Sequence, residues 1–267
     1  MVDMSQLVSH RFRGFSKHEN TIEGLLAALD FGVSQVEFDI RVTRCGTPLI
    51  YHDEFAAAGD GQRHRICDIM ARDRQMLGGV FAHMPTAEEL LKSAAFHKNK
   101  AGLLIDMKDA GFEDMLVALA KRFRVEAQII WVSWLPGTLY AIHDLLPDAN
   151  LTLSHWCQNP NSAIRSIHKV YDAKNGQIPR PARTLVVGER SGWFVDGPVE
   201  GEIRELIHNV CVPVDMVSRE LVEGYQADGI KVSAFSYVTR DGIDQAEKDL
   251  GLDDYFIDAK AVFDSFT

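Results

Sequence analysis

The sequence predicts an α/β protein in which short apolar strands alternate with amphipathic helices. Helical and strand spacing along the chain gives about eight strand segments separated by helices. The length of 267 residues suits a barrel built from eight such units. A glycine-rich nucleotide-binding sequence follows none of the predicted strands, which disfavours an open doubly wound sheet. We therefore predict a (β/α)8 TIM barrel, with the open sheet as the alternative.

The first unit of the predicted barrel lies in residues 7–42. A short apolar strand at residues 7–9 runs into His10 and Arg11. A helix is predicted where apolar residues recur at helical spacing, with Asn20 as its N-cap and Gly32 as its stop. The next strand, residues 36–42, alternates apolar residues with Glu37, Asp39 and Arg41. A period of two places both carboxylates on one face of that strand.

A hairpin and an insertion follow this second strand. Gly46 supplies a residue that tolerates positive φ in the turn, and residues 48–52 form a short apolar run that ends at His52. Residues 53–84 are polar and rich in glycine and arginine, so we predict a loop or small insertion without a core of its own. Residues 1–267 are therefore predicted to form one barrel domain that carries this insertion.

The remaining chain repeats strand and helix patterns. Residues 102–108 form a nearly continuous apolar run that ends with Asp106 and Lys108, as expected of a strand covered on both faces. The sixth strand has two candidates, at residues 185–188 and 212–214. Further strands are predicted at residues 128–134, 151–154, 231–237 and 255–258. Helices are predicted from residue 85 and at residues 112–123, 136–146, 164–171, 203–210, 216–227 and 241–250.

Composition narrows the class of protein. The net charge is −10, and the chain has no dense stretch of Lys and Arg, so nucleic-acid binding is not expected. The four cysteines are widely spaced, which disfavours a disulfide framework or zinc knuckle. The N-terminus lacks a signal peptide and the chain has no long apolar run, so we predict a cytoplasmic protein without a transmembrane segment.

Polar residues collect at the predicted C-terminal ends of the strands, where barrels bind their substrates. Three carboxylates at one barrel mouth, those of Glu37, Asp39 and Asp106, repel one another unless a cation lies between them. Their oxygens suit one hard divalent cation, Mg²⁺ or Ca²⁺. His10 and His52 can exchange protons near neutral pH, and Arg11 and Lys108 can hold an anion. These groups together predict cleavage of a small phosphodiester.

The order of these residues resembles the glycerophosphodiester phosphodiesterase family. The similar stretches are His-Arg at the first strand, Glu-Asn-Thr at 19–21, Glu-x-Asp at 37–39, Pro-Leu-Ile-x-His-Asp at 48–53, an acid two residues before Lys108, Pro-Thr at 85–86, Val-Ser-Trp at 132–134 and Ile-Asp at 257–258. The resemblance implies a metal on Glu37, Asp39 and Asp106, with His10 and His52 as acid and base and Arg11 and Lys108 on the phosphate. It does not determine which histidine is the base.

The sequence also departs from the family pattern. Phe12 replaces the usual glycine, His18 the usual proline, Asp106 the usual Glu, Phe55 to Ala58 the usual Leu-Asp-Arg-Thr, and Phe235 the usual late tryptophan. Trp193 is the best candidate for substrate specificity. The departures keep two alternatives open: cleavage of a lysophospholipid or other diester through a cyclic phosphate, and a barrel that binds a phosphorylated ligand without turnover. An amidohydrolase would need a His-x-His sequence, which the chain lacks.

Overall fold

A computed structural model describes residues 2–154, 199 and 201–267. Its strands are β1 (Leu7–His10), β2 (Gln35–Val42), β3 (Pro48–Ile50), β4 (Phe55–Ala57), β5 (Arg63–Arg65), β6 (Gly102–Met107), β7 (Ile129–Ser133), β8 (Asn150–Ser154), β9 (Asn209–Pro213), β10 (Lys231–Tyr237) and β11 (Asp254–Ile257). Its helices are α1 (Ile22–Phe31), α2 (Arg74–Leu77), α3 (Ala87–Phe96), α4 (Glu113–Phe123), α5 (Pro136–Leu145), α6 (Glu202–Leu206), α7 (Arg219–Gln226), α8 (Arg240–Asp249) and α9 (Lys260–Asp264).

Eight of these strands form a closed parallel barrel. Their order is β1-β11-β10-β9-β8-β7-β6-β2, and β1 pairs with β2 to complete the ring. The antiparallel strand β3 extends β2 outside the ring. The (β/α)8 prediction is therefore confirmed. The sixth barrel strand is β9, which corresponds to the second of the two candidate segments.

The period of two along each strand divides the barrel into an interior and an outer layer. Inside, Val8, Leu104, Val132, Cys211 and Phe256 come from five different strands and form one buried cluster. Outside, the alternate residues of the strands pack under the helices in a much larger apolar core. Every second residue of a strand therefore points into the barrel, and the C-terminal ends of the strands, with the polar groups they carry, meet at the barrel mouth.

Helix α1 begins one residue later than the sequence suggests. Thr21, not Asn20, is the N-cap, because its side chain accepts the backbone N–H of Gly24. Gly32 ends the helix at φ +96° as predicted. The prediction of Asn20 as a cap was wrong, and the Asn20 side chain instead forms hydrogen bonds with Asp39 of strand β2. The helix predicted at 203–210 is also shorter, because the chain enters β9 at Asn209.

The insertion after the hairpin has a small core, contrary to expectation. It contains the two-stranded β4–β5 sheet and helix α2. A cluster separate from the barrel core consists of Leu49, Ala56, Ala58, Ile66, Ile69, Phe81 and Met84. Since Leu49 belongs to β3, the insertion is anchored on the hairpin. The helix predicted at 164–171, the strand candidate at 185–188 and Trp193 lie outside the described residues.

Candidate active site

Strand register brings the three predicted metal ligands together. Glu37 lies opposite His10 in the β1–β2 pair, and Asp39 lies opposite Asp106 in the β2–β6 pair. One oxygen from each of Glu37, Asp39 and Asp106 falls within a set whose members are all within 4.8 Å of one another. All three side chains are buried, with Asp39 fully inaccessible. A solvated strand face is therefore excluded for these acids.

Both predicted phosphate-binding cations contact this acidic cluster. Arg11 Nε lies 3.1 Å from Asp39 Oδ2, and Lys108 Nζ lies 3.0 Å from Asp39 Oδ1. Lys108 also donates to Asp106. The Lys108 side chain is only 8% exposed, so its charge acts in a poorly solvated environment. Each cation lies at the barrel mouth beside the position where the carboxylates converge.

Burial and these charges set the ionisation of the cluster. Burial and the neighbouring Asp39 carboxylate raise the pKa of Glu37 well above its usual range. Burial alone would also raise the pKa of Asp39, but Lys108 and Arg11 hold it well below its usual range. Two carboxylates that share a buried site commonly diverge in this way, because one charge disfavours the other.

His10 is held by an acid from the last barrel strand. Its Nδ1 lies 2.6 Å from Asp258 Oδ1, while its Nε2 lies 3.8 Å from Glu37 Oε2. Asp258 in turn accepts hydrogen bonds from Arg13 Nη1 and Ser236 Oγ. Burial lowers the pKa of His10, and the hydrogen bond with Asp258 partly offsets that effect. A carboxylate on Nδ1 fixes the ring and leaves Nε2 directed at the acidic cluster.

His52 occupies the end of the hairpin and also has a carboxylate on Nδ1. The distance from His52 Nδ1 to Asp53 Oδ1 is 2.7 Å, although the Asp53 side chain is 62% exposed. Burial and the charge of Lys108 lower the pKa of His52 to about 4. The imidazole is therefore neutral at physiological pH. Both predicted histidines lie at the barrel mouth, with His10 held by a much more buried acid.

A buried arginine ties the hairpin to the barrel. Arg41 Nε donates to the His52 carbonyl at 2.9 Å, and its Nη1 pairs with Asp109 Oδ1 at 3.1 Å. Asp109 Oδ2 accepts the backbone N–H of Val42 at 2.8 Å. Arg41 lies on the same strand face as Glu37 and Asp39. This alternation was the sequence signal that could have identified Arg41 as part of the site. Arg41 therefore connects the backbone that carries His52 with the end of β6.

Asn20 and Phe12 shape the turn after β1. Asn20 Nδ2 donates to Asp39 Oδ2 at 3.0 Å, and Asn20 Oδ1 accepts the Asp39 N–H at 3.3 Å. Arg11, Phe12 and Asn20 all have φ between +55° and +58°. Glycine adopts such a conformation without strain, which explains the family's preference at position 12. Phe12 is nevertheless buried and packs on Phe38 outside the site.

The carboxylate cluster has the chemistry of a divalent-cation site. It offers hard oxygen donors from three residues whose ligand atoms lie close together. Asp106 Oδ1 is buried, yet within the part of the chain that the structure describes it has no hydrogen-bond partner. A buried oxygen of this kind needs a partner, since leaving it unsatisfied is costly. Glu37, Asp39 and Asp106 thus fit a divalent metal ion.

The chain resembles several known proteins. Glycerophosphodiester phosphodiesterase 1 of Rattus norvegicus is 23% identical over 93% of this chain and 76% of that protein. A glycerophosphodiester phosphodiesterase from Parabacteroides distasonis has a TM-score of 0.67 at 15% identity, covering 100% of this chain and 98% of the other. A phosphodiesterase from Oleispira antarctica, solved with sn-glycerol-3-phosphate, has a TM-score of 0.64 at 20% identity, covering 97% and 96%. Likenesses at this identity show a shared fold.

Fold and relatives place the protein among the barrel-shaped phosphoric diester hydrolases. The sequence model of the glycerophosphoryl diester phosphodiesterase family matches residues 9–258, and the chain belongs to that family. The resemblance seen in the sequence is confirmed. In the described part of the chain, no helix is both long enough and apolar enough to cross a membrane.

Sequence reasoning missed several groups that support the site. Asp258 was noted only as part of a resemblance, because its partner His10 lies at the other end of the chain. Asn20 was assigned to helix capping because it precedes a helix, although Thr21 takes that role. The ion pair between Arg13 and Glu19, at 2.6 Å, was not predicted, although Glu19 belongs to the Glu-Asn-Thr stretch of the resemblance. The partners in each of these contacts do not belong to the same helix or strand, so periodicity within one element could not reveal them.

Proposed function

We propose that this enzyme hydrolyses a glycerophosphodiester to glycerol phosphate and an alcohol. One observation carries the proposal: three buried carboxylates converge within 4.8 Å, and two fixed cations lie against them. His10 and His52 stand at the same barrel mouth. Cleavage of a phosphodiester needs a cation site, an anion site and proton exchange in one place.

The charges of the site suit a diester. Three carboxylates and the two cations Arg11 and Lys108 leave one net negative charge, counting every acid as ionised. A divalent cation reverses that sign to one positive charge, which complements the single negative charge of a phosphodiester. We therefore assign Arg11 and Lys108 to the phosphate oxygens and Glu37, Asp39 and Asp106 to the metal.

Proton transfer falls to the two histidines. His10, with Asp258 behind Nδ1, and His52, which is neutral, can each accept a proton from a hydroxyl nucleophile. The histidine that enters the step as neutral imidazole takes that proton as oxygen attacks phosphorus, and the other, which must enter it as imidazolium, protonates the alkoxide as the phosphorus–oxygen bond to the alcohol breaks. A bound Mg²⁺ or Ca²⁺ would supply Lewis-acid stabilisation of charge on the phosphoryl oxygens. Lys108 and Arg11 add fixed positive charge to the same oxygens.

A substrate panel tests this proposal. Glycerophosphocholine, glycerophosphoethanolamine, glycerophosphoglycerol and a lysophospholipid would each be incubated with Mg²⁺, Ca²⁺ or chelator. We expect turnover with metal and its loss on chelation. His10→Ala and His52→Ala should each slow turnover by at least about 10²-fold, the usual scale for general acid–base groups.

His97→Ala is the matched control, because His97 pairs with Asp30 on the outer surface of the barrel. Near-normal turnover in His10→Ala or His52→Ala would contradict the proposed roles. Phosphorus NMR would separate direct hydrolysis from a route through a cyclic phosphate, which uses a substrate hydroxyl as the nucleophile. We further propose that residues 1–267 act as one catalytic unit, with the insertion contributing to substrate selection.

A further inference from the structure

A cavity that the catalytic groups do not use opens beside the candidate site. Its volume is about 420 Å³. Its lining includes the loop that carries His18 and Asn20 and residues of the segment Gly79–His83 of the insertion, and these two segments meet at His18 and His83. The cavity adjoins the site, because its lining residue Asn20 binds Asp39 and its lining residue Tyr51 directly precedes His52.

Hydrocarbon and ring surfaces line most of this cavity. Val80 and Met84 present aliphatic groups, and the imidazoles of His18 and His83 stack with centroids 4.2 Å apart and planes 14° apart. Charged groups among the described lining residues are confined to Lys17 and Glu19. Glu19 already pairs with Arg11 and Arg13, so it is not directed at a ligand in the cavity.

The size of the cavity separates two kinds of diester. At about 30 Å³ for each water-sized group, it holds about 14 such groups. Ethanolamine and choline are far smaller and strongly polar, so neither would fill an apolar cavity of this volume. An unbranched aliphatic chain of roughly ten carbons fits within that volume, and its hydrocarbon surface suits the lining.

We propose that the cavity binds an aliphatic chain carried by the diester substrate. This inference rests on the proposed phosphodiesterase function and specifies its substrate class as amphiphilic diesters. The chain can be carried by the leaving alcohol or by the glycerol. Both present the same chemistry to Val80 and Met84, and the position of the chain decides which half of the diester faces the insertion.

A homologous series tests the inference. Glycerophospho-n-alkyl esters from ethyl to dodecyl carry the chain on the alcohol, whereas lysophosphatidylethanolamines with short to medium acyl groups carry it on the glycerol. We expect kcat/KM to rise by up to about fourfold for each buried methylene in one series, levelling off when the cavity is full. Calorimetry in chelator would measure the same trend in Kd without turnover.

Val80→Asp and Val80→Asn should reduce the ratio of octyl to ethyl kcat/KM by at least about tenfold, because they place a polar group in the aliphatic wall. Val80 is 39% exposed, so both changes should be tolerated by the fold. Met76→Asp is the matched control, since Met76 lies in the same insertion, is 81% exposed and does not line the cavity. It should leave the ratio unchanged.

The outcomes separate the two proposals. If short diesters are hydrolysed but chain length changes neither kcat/KM nor Kd in either series, the cavity inference fails and the phosphodiesterase proposal stands. If chain length tightens Kd but no diester is hydrolysed with any metal, the proposed function fails and the cavity assignment stands. Equal chain-length dependence in wild type and both Val80 variants would show that the aliphatic chain does not bind in this cavity.

Discussion

Asp258 is the residue that most clearly prepares another residue for chemistry. Its contact with His10 spans nearly the whole chain, and Arg13 and Ser236 hold its second oxygen at 2.6 Å and 2.7 Å. Burial would raise the pKa of Asp258, but these partners hold it well below its usual range. An ionised acid behind Nδ1 both orients an imidazole and raises its basicity.

Asp258→Asn should therefore lower kcat by about 10² to 10⁴-fold with a smaller change in KM, as expected when an orienting carboxylate is replaced by an amide. Steady-state kinetics and the acid limb of the pH–rate profile would measure the effect. Asp254→Asn, at the opposite end of the same strand, should retain nearly normal kinetics. A variant Asp258→Asn that keeps more than a tenth of kcat would rule out the positioning role.

The lowered pKa of His52 predicts how the stability of the protein depends on pH. Its pKa is about 4 in the folded protein, because of burial and Lys108, and about 6.5 in an unfolded chain. As the pH falls from 6.5 towards 4, the unfolded chain takes up a proton that the folded protein does not bind. The free energy of unfolding should thus fall by about 3 kcal/mol across this window, and this contribution is fully present only above pH 6.5.

Urea denaturation of wild type and His52→Gln in chelator, at pH values from 4 to 7.5, would isolate this contribution. The wild-type free energy of unfolding should decline more steeply than that of the variant. Indistinguishable slopes would show that the His52 imidazole ionises alike in the folded and unfolded chains.

Among the elements, the hairpin after β2 depends on one arginine for its position. Arg41 binds the His52 carbonyl and Asp109, and its side chain is only 6% exposed. The hydrogen bond from Tyr51 N–H to the Asp39 carbonyl also holds the hairpin against β2. His52 is therefore presented by backbone that is attached at two points.

Arg41→Met should lower the free energy of unfolding by about 3 to 5 kcal/mol, because it removes one partner of a buried ion pair. Arg41→Lys should restore only part of that loss, since an ammonium cannot reproduce the planar fork of hydrogen bonds. Arg122→Met is the control, because Arg122 is 63% exposed and its pair with Glu88 should contribute no more than about 1 kcal/mol. Equal stability of Arg41→Met and wild type would contradict this account.

At the scale of the whole molecule, cation binding should be coupled to stability. The carboxylates of Glu37, Asp39 and Asp106 converge only when strands β2 and β6 are paired, so the unfolded chain has no such site. A ligand that binds only the folded state at 100 times its Kd stabilises it by about 2.7 kcal/mol. Mg²⁺ or Ca²⁺ at 100 times its Kd should therefore raise the free energy of unfolding by about 2.7 kcal/mol.

Thermal and urea denaturation with each metal and with chelator would measure this stabilisation. Asp106→Asn should abolish it, whereas Asp249→Asn, at the exposed end of helix α8, should preserve it. Metal-dependent stabilisation that survives in Asp106→Asn would place the cation elsewhere.

Much of the fold was predictable because its signals are local. Apolar spacing located all eight barrel strands and most of the described helices, but not β4, β5, α2 or α9, and Lys231–Tyr237 matched its prediction at both ends. Alternation within β2 placed Glu37 and Asp39 on one face without knowledge of any other strand. The small core of the insertion was not predictable, because its apolar residues are scattered and converge only on the hairpin.

The sequence by itself determined the strand and helix order, the family resemblance, and the placement of His10, His52 and the acids at strand ends. Tertiary structure alone decided which groups meet: Asp258 with His10, Asn20 with Asp39, and Phe12 in the core rather than at the mouth. The physical reason is the distance along the chain over which each effect acts. Periodicity and capping act within a few residues, whereas strand register and barrel closure are set by the packing of the whole chain.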